Sequence, residues 1–201
     1  MTTTDEQQMN NTPQPPVQPA ARRTFEHRRL WHLTPVAYQA AIALLADAAF
    51  ARLGEIGNVI GIANGGRAPA HAIAARLGVP MAAVTARHNA DDAVFTQATG
   101  RVHCDLSSFH RIVDRPGPFL VVDDICGTGA TLTTVTQVIA RIAAPQAAIC
   151  TATLCRNHGA APGMPDLHVW DVADWVVFPW ETVPASGHAT PLPAPTEVHS
   201  W

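Results

Sequence analysis

The 201-residue sequence contains no lysine: its 13 basic residues are all arginine. Any side-chain cation that meets a phosphate here must be a planar, permanently charged guanidinium. Charge is sparse, at 14% of residues with a net −3. Basic residues adjoin only at Arg22-Arg23 and Arg28-Arg29. The clustered positive face that nucleic-acid binding needs is therefore missing, and no nucleic-acid partner is expected. Cys104, Cys126, Cys150 and Cys155 form no CxxC pair and no zinc-ligand spacing, so reduced thiols are expected. The 10 histidines are scattered without an HExxH pattern, and no metal cage is read from them. No apolar run approaches the ~20 residues that span a bilayer. The N-terminus lacks the basic-then-apolar order of a secretory leader. These absences predict a soluble, cytoplasmic protein with no membrane partner. No GxGxxG turn follows a predicted strand, which excludes an ordinary Rossmann dinucleotide site.

What is present is a 47% hydrophobic chain of a length that buries one good core. Residues 1–24 are rich in Gln, Asn, Thr and Pro and are expected to be disordered. Residues 183–201 hold four prolines and are expected to form a second tail, leaving 25–182 as the folded domain. Thr34-Pro35 reads as an N-cap with proline at the first helical position, and apolar spacing continues through Leu53 to a stop at Gly54. Residues 58–62 read as a strand. A turn, Ala63-Asn64-Gly65-Gly66-Arg67, and a helix from about Pro69 to Leu77 follow. Met81–Thr85 is a further strand with Arg87 and His88 at its end, and the polar stretch 89–105 reads as a mobile hairpin. Residues 147–154 form another apolar strand, ending at Cys155-Arg156-Asn157-His158. Near the end lies Asp174-Trp-Val-Val-Phe-Pro-Trp-Glu181.

The most informative stretch is Phe119-Leu-Val-Val-Asp-Asp-Ile-Cys-Gly-Thr-Gly-Ala-Thr-Leu132. An apolar run fits a buried parallel strand, with Asp123 and Asp124 at its carboxyl end. A Gly/Thr turn then feeds a helix over 130–142. In open α/β folds ligands bind at this end of the strands, and a glycine-rich turn at a helix N-terminus offers N–H groups to a phosphate. Carboxylates would repel that phosphate. They fit instead vicinal hydroxyls or a divalent metal on the same ligand, which points to a phosphorylated sugar.

Strand, acidic pair and Thr-Gly-x-Thr resemble the phosphoribosyl pyrophosphate (PRPP) signature of type I phosphoribosyltransferases. The resemblance spans roughly residues 30–181. It implies an α/β fold, a mainly parallel sheet flanked by helices, with a small hood built from the C-terminal segment. It also implies a phosphoribosyltransferase that uses PRPP and a heterocyclic base as substrates, Mg²⁺ as cofactor, and a homodimeric assembly. Asp123 and Asp124 would hold the ribose hydroxyls and the metal. Cys126, Gly127, Thr128, Gly129, Ala130 and Thr131 would wrap the 5′-phosphate. The turn of Asn64, Gly65, Gly66 and Arg67 corresponds to the family's pyrophosphate loop. Arg87 corresponds to a cation that meets pyrophosphate below a loop closing over PRPP, and is otherwise a surface arginine. The Trp-x-x-x-Pro-Trp-acid segment is similar to the base-binding hood of small xanthine-guanine enzymes, which maps Trp175 to stacking and the Val176 backbone to the base edge. In enzymes for 6-oxopurines a lysine near the 156 position contacts the exocyclic oxygen. With no lysine here, Arg156 either takes that part or is a plain surface residue.

Two positions depart from the pattern. The loop's third acidic position, assigned as general acid/base in hypoxanthine-guanine enzymes, is Gly127, which cannot move a proton. The residue before Gly-Gly, usually basic, is Asn64. Both leave the acceptor base open, and they leave a second reading beside catalysis: a silent PRPP-binding regulator.

Overall fold

The computed structural model describes residues 22–26, 29–87, 102–111, 117–144, 146–182 and 188–201. Seven strands form the main sheet in the order β10-β7-β6-β5-β2-β3-β4. They are β2 (Asn58–Ala63), β3 (Met81–Arg87), β4 (His103–Asp105), β5 (Phe119–Cys126), β6 (Ile149–Asn157), β7 (Leu167–Val172) and β10 (His199–Ser200). The five central strands run parallel, and β4 and β10 add antiparallel edges. β2 and β5 alternate no polar residues because both their faces are covered, which is why they read as continuous apolar runs.

Among the described residues, three α-helices cover the sheet. α1 (Pro35–Leu53) starts at Thr34, whose hydroxyl accepts from Ala37 N, and ends at Gly54. Together with α2 (Arg67–Leu77) it packs on one face, around Ile42, Leu45, Ile73 and Leu120. α3 (Ala130–Ile142) covers the other face with Leu132, Val135 and Ile139. α1 is 19 residues long and apolar enough, by length and composition, to cross a bilayer, contrary to the expectation that no such run exists. Its Ala37, Ala41, Ile42, Leu45, Ala46 and Ala49 are buried against this core, the pattern of a central helix.

The C-terminal segment is not a tail where it is described. β9 (Ala189–Pro191) pairs in parallel with β1 (Leu30–His32), and β1 pairs in parallel with β8 (Trp175–Val177). β10 closes the far edge of the main sheet. Leu192 is buried and its N–H donates to His32 O at 2.9 Å, while Trp170 Nε1 donates to Pro193 O at 3.1 Å. Prolines are tolerated there because β9 is an edge strand. The hood is thus a three-stranded sheet with the N-terminal β1 at its centre, not a purely C-terminal structure. Residues 22–24, expected within a disordered arm, also pack on the fold; the rest of that arm, residues 1–21, lies outside the described residues. So does most of the expected 89–105 hairpin, of which β4 remains, antiparallel to β3.

Candidate active site

β5 carries the acidic pair to the sheet's carboxyl edge, but it does not stop there: strand geometry continues through Asp123 and Asp124 to Cys126. The Gly65-Gly66 turn at the end of β2 is pressed onto that edge. A Cβ at Gly65 would overlap the Asp124 carboxylate, and one at Gly66 would lie 2.8 Å from Asp123 Cα. The two loops predicted separately from the sequence are therefore one site. The Ala63–Asn64 peptide bond is cis, and Asn64 and Arg67 are both exposed, Arg67 opening the first turn of α2. β3 delivers the Arg87 backbone to the same edge; its side chain lies outside the described residues.

Both carboxylates are pushed toward protonation. For Asp123 desolvation and the neighbouring Asp124 charge raise the pKa well above the ordinary value, against N–H bonds from Asp124 and Gly66. For Asp124 desolvation and Glu181 raise it to about 6, against the Ile125 N–H (2.7 Å) and Arg23. Two partly buried carboxylates side by side need a cation or hydroxyl donors. Any affinity of this pair for a cation-bearing ligand is accordingly expected to weaken as pH falls through about 6, because protonation removes the negative charge of Asp124. Calorimetric titration with Mg·PRPP between pH 5 and 8 checks this.

Beyond Cys126 the chain turns into α3 through Gly127, Thr128 and Gly129. Gly129 has φ +92°, which favours glycine. No side chain caps α3 at Gly129, and the Ala130 N–H leans on Thr128 Oγ1 at 3.3 Å. A 13-residue helix whose N-terminus has no side-chain cap presents N–H groups and a positive dipole end suited to an anion.

Arg156 is expected either at the base or as a plain surface residue; its guanidinium is instead committed behind the loop. Nε donates to Met164 O (3.0 Å), one terminal nitrogen to Ala160 O (3.4 Å), and the other pairs with Asp171 (3.1 Å). Desolvation alone would raise the Asp171 pKa, but bonds from His168 and Arg156 outweigh it and hold it low. The 160–164 turn so anchored supports the turn into α3: Ala161 N–H donates to Thr128 O at 3.1 Å, and Met164 lies against Gly129. Arg156→Ala is therefore expected to raise KM for PRPP about tenfold and leave the acceptor KM unchanged. Arg156→Lys is expected to recover little, since an ammonium cannot make the forked set; steady-state kinetics with each substrate varied separates the two.

In the hood, Trp175 is partly buried, 6.3 Å from Phe25, while Val176 is buried. The Val177 carbonyl accepts from Leu33 N on the β1 side, so strand alternation turns the Val176 carbonyl to the open edge of β8. Trp180 is 39% exposed and stacks on Phe178 at 5.2 Å.

The family model for the phosphoribosyl transferase domain matches residues 35–186. The chain belongs to this family. Among solved structures, the purine phosphoribosyltransferase from Pyrococcus horikoshii Ot3 is similar at 27% identity and a TM-score of 0.59, covering 79% of this chain and 98% of that one. The xanthine-guanine-hypoxanthine phosphoribosyltransferase of Helicobacter pylori shares the fold at 18% identity and a TM-score of 0.63, covering 77% and 93%. No curated protein sequence matches the chain. The α/β architecture with a mostly parallel sheet is thus that of a type I phosphoribosyltransferase.

Sequence reasoning missed two contributors. One is Asn157, fully buried at the end of β6. The other is Arg23, which approaches Gly127 and Trp175 from a segment without hydrophobic periodicity.

Proposed function

We propose that this phosphoribosyltransferase moves the 5-phosphoribosyl group from PRPP to a ring nitrogen of a purine-like base and releases pyrophosphate. The observation that carries the reading is the convergence of the Asp123–Asp124 pair, the Gly65-Gly66 turn and the uncapped start of α3 at one sheet edge. The likeness to the Pyrococcus purine enzyme supports a purine-like acceptor.

Asp123 and Asp124 accept from the ribose 2′- and 3′-hydroxyls, which fixes the sugar. Thr128, Thr131 and the loop amides hold the 5′-phosphate. The 64–67 turn, with Arg67 at the start of α2, lies where the departing pyrophosphate needs donors. The C1′–O bond to pyrophosphate breaks, a C1′–N bond forms, and the ring N–H proton is lost. Gly127 offers that proton no carboxylate, so catalysis rests on positioning and charge stabilisation. No group of three or more His, Cys, Asp or Glu suited to a metal occurs among the described residues. Two carboxylates fit Mg²⁺ that arrives with substrate phosphates and keeps several waters. Asp123 and Asp124 would hold it, and when bound it supplies neutralisation of the pyrophosphate charge.

The deciding experiment incubates the protein with Mg²⁺, PRPP and a panel of heterocyclic bases and measures pyrophosphate release. Base-dependent release is expected, abolished in an Asp123→Asn/Asp124→Asn double variant. Turnover by that variant at the normal rate would remove the site assignment.

A further inference from the structure

Residues 22–26 form an arm that crosses the carboxyl ends of β6 and β7. Its backbone is fixed by specific bonds. Thr24 N–H donates to Asn157 Oδ1 at 2.6 Å, and Asn157 Nδ2 donates back to Thr24 O at 3.0 Å. Glu26 N–H donates to Ala173 O at 2.9 Å. The Arg22 carbonyl lies so close to Gly159 that a Cβ there would overlap it. A buried asparagine bonded in both directions sets the register of the arm, and the register decides which side chain faces inward. That side chain is Arg23.

The stem of Arg23 passes directly over Gly127, where a Cβ would stand 3.1 Å from Arg23 Cδ. The guanidinium carbon lies 5.1 Å from the centre of the Trp175 ring and 5.6 Å from that of Phe25. Burial lowers its pKa, and the charges of Asp124, Cys155, Glu181 and Asp123 pull it back up, so it shares a neighbourhood with both carboxylates. Arg23 therefore lies between the Gly127 turn that follows the acidic pair and the hood ring. With the sugar on Asp123 and Asp124, this is where an acceptor must lie. Gly127 admits the arginine because it has no side chain there.

We propose that Arg23 is an acceptor-recognition residue: held over Gly127 by the arm, its guanidinium reads the edge of the heterocycle and favours acceptors carrying an oxo or carboxylate oxygen over amino-substituted ones. The inference rests on the phosphoribosyl-transfer reading. A guanidinium has only donors, so it pairs with an oxygen and is left opposed by an exocyclic amino group. In the free chain the same cation offsets the buried carboxylates. When the sugar engages those carboxylates, the long stem lets the guanidinium turn from the Trp175 face to the acceptor edge while the arm backbone stays in place.

Arg23→Ala and Arg23→Lys test this. With saturating Mg·PRPP, kcat/KM is measured for hypoxanthine and xanthine against adenine. In parallel, calorimetry measures binding of inosine and adenosine monophosphates. Arg23→Ala is expected to lose about 10- to 100-fold on the oxo acceptors. The loss with adenine is expected to be several-fold smaller, the melting temperature to fall because the cation beside Asp123 and Asp124 is gone, and Arg23→Lys to restore part of both. The preference for inosine over adenosine monophosphate is expected to disappear in Arg23→Ala. Equal changes with every acceptor, or a lower acceptor KM in Arg23→Ala, would overturn the proposal in favour of a residue that only fills the empty site. If the wild-type protein releases no pyrophosphate with any base, the transfer reading fails by itself. The nucleotide preference still decides for Arg23, and its absence from the wild type overturns the proposal.

Discussion

Asp123→Asn is expected to cut kcat/KM for phosphoribosyl transfer about 10²- to 10³-fold and at the same time to stabilise the unliganded chain. The loss follows from replacing a charged acceptor by a neutral amide at the ribose hydroxyls. The gain follows from the same charge, because Asp123 and Asp124 are desolvated neighbours that repel each other. Asp124 shows the sign. Its pKa in the fold is about 6 against an ordinary 3.8, so the folded chain holds the proton more tightly than the unfolded chain. Its stabilising contribution is complete below 3.8 and is lost as pH rises to about 6. Asp123 is displaced in the same direction. At neutral pH the desolvated pair therefore weighs against the empty fold, and removing one member leaves Arg23 beside Asp124. The gain is expected to be about 1–3 kcal/mol at pH 8, or about 2–4 °C in melting temperature per kcal/mol for a chain of this size. It should shrink toward pH 4. Scanning calorimetry at both pH values, paired with kinetics, tests it; a lower melting temperature for Asp123→Asn at pH 8 would refute the account.

A site that loses stability when left empty explains why some of it was legible in the sequence. Alternation, capping and glycine rules act locally, so the strand carrying Asp123 and Asp124, the Gly127–Gly129 turn and α3 could all be read from one stretch of chain. The same holds for Gly65 and Gly66, although only the fold brings them onto Asp124 and Asp123. Arg156 was legible in place but not in direction: a strand end says where a side chain begins, and the partners that hold this one, Met164 O, Ala160 O and Asp171, come from a loop and a neighbouring strand. β9 was hidden because proline argues against strands, and only the pairing with β1 makes an edge available. Arg23 was the least legible. Its segment has the composition of a tail, and it is ordered by Asn157, 133 positions away from Thr24.

The glycine turn provides the other large effect, in which two adjacent substitutions are expected to fail in different ways. At Gly66 an added Cβ meets backbone only: the Val122 carbonyl, the Ile62 carbonyl at 2.7 Å and Asp123 Cα at 2.8 Å. These atoms belong to β2 and β5, paired strands at the centre of the sheet, and they cannot withdraw without opening the ladder. Gly66→Ala is therefore expected to destabilise the protein by about 3 kcal/mol or more. At Gly65 the Cβ meets only the carboxylate of Asp124. A side-chain end can rotate away, so Gly65→Ala is expected to change stability by only about 1 kcal/mol. The rotation, however, takes the carboxylate from the ribose, and misplacement of this kind lowers kcat/KM about 10²-fold. Urea midpoints and transfer kinetics on the two variants separate a broken scaffold from a displaced ligand group. A Gly65→Ala protein with full activity would mean that Asp124 does not hold the sugar from the position it has in this structure.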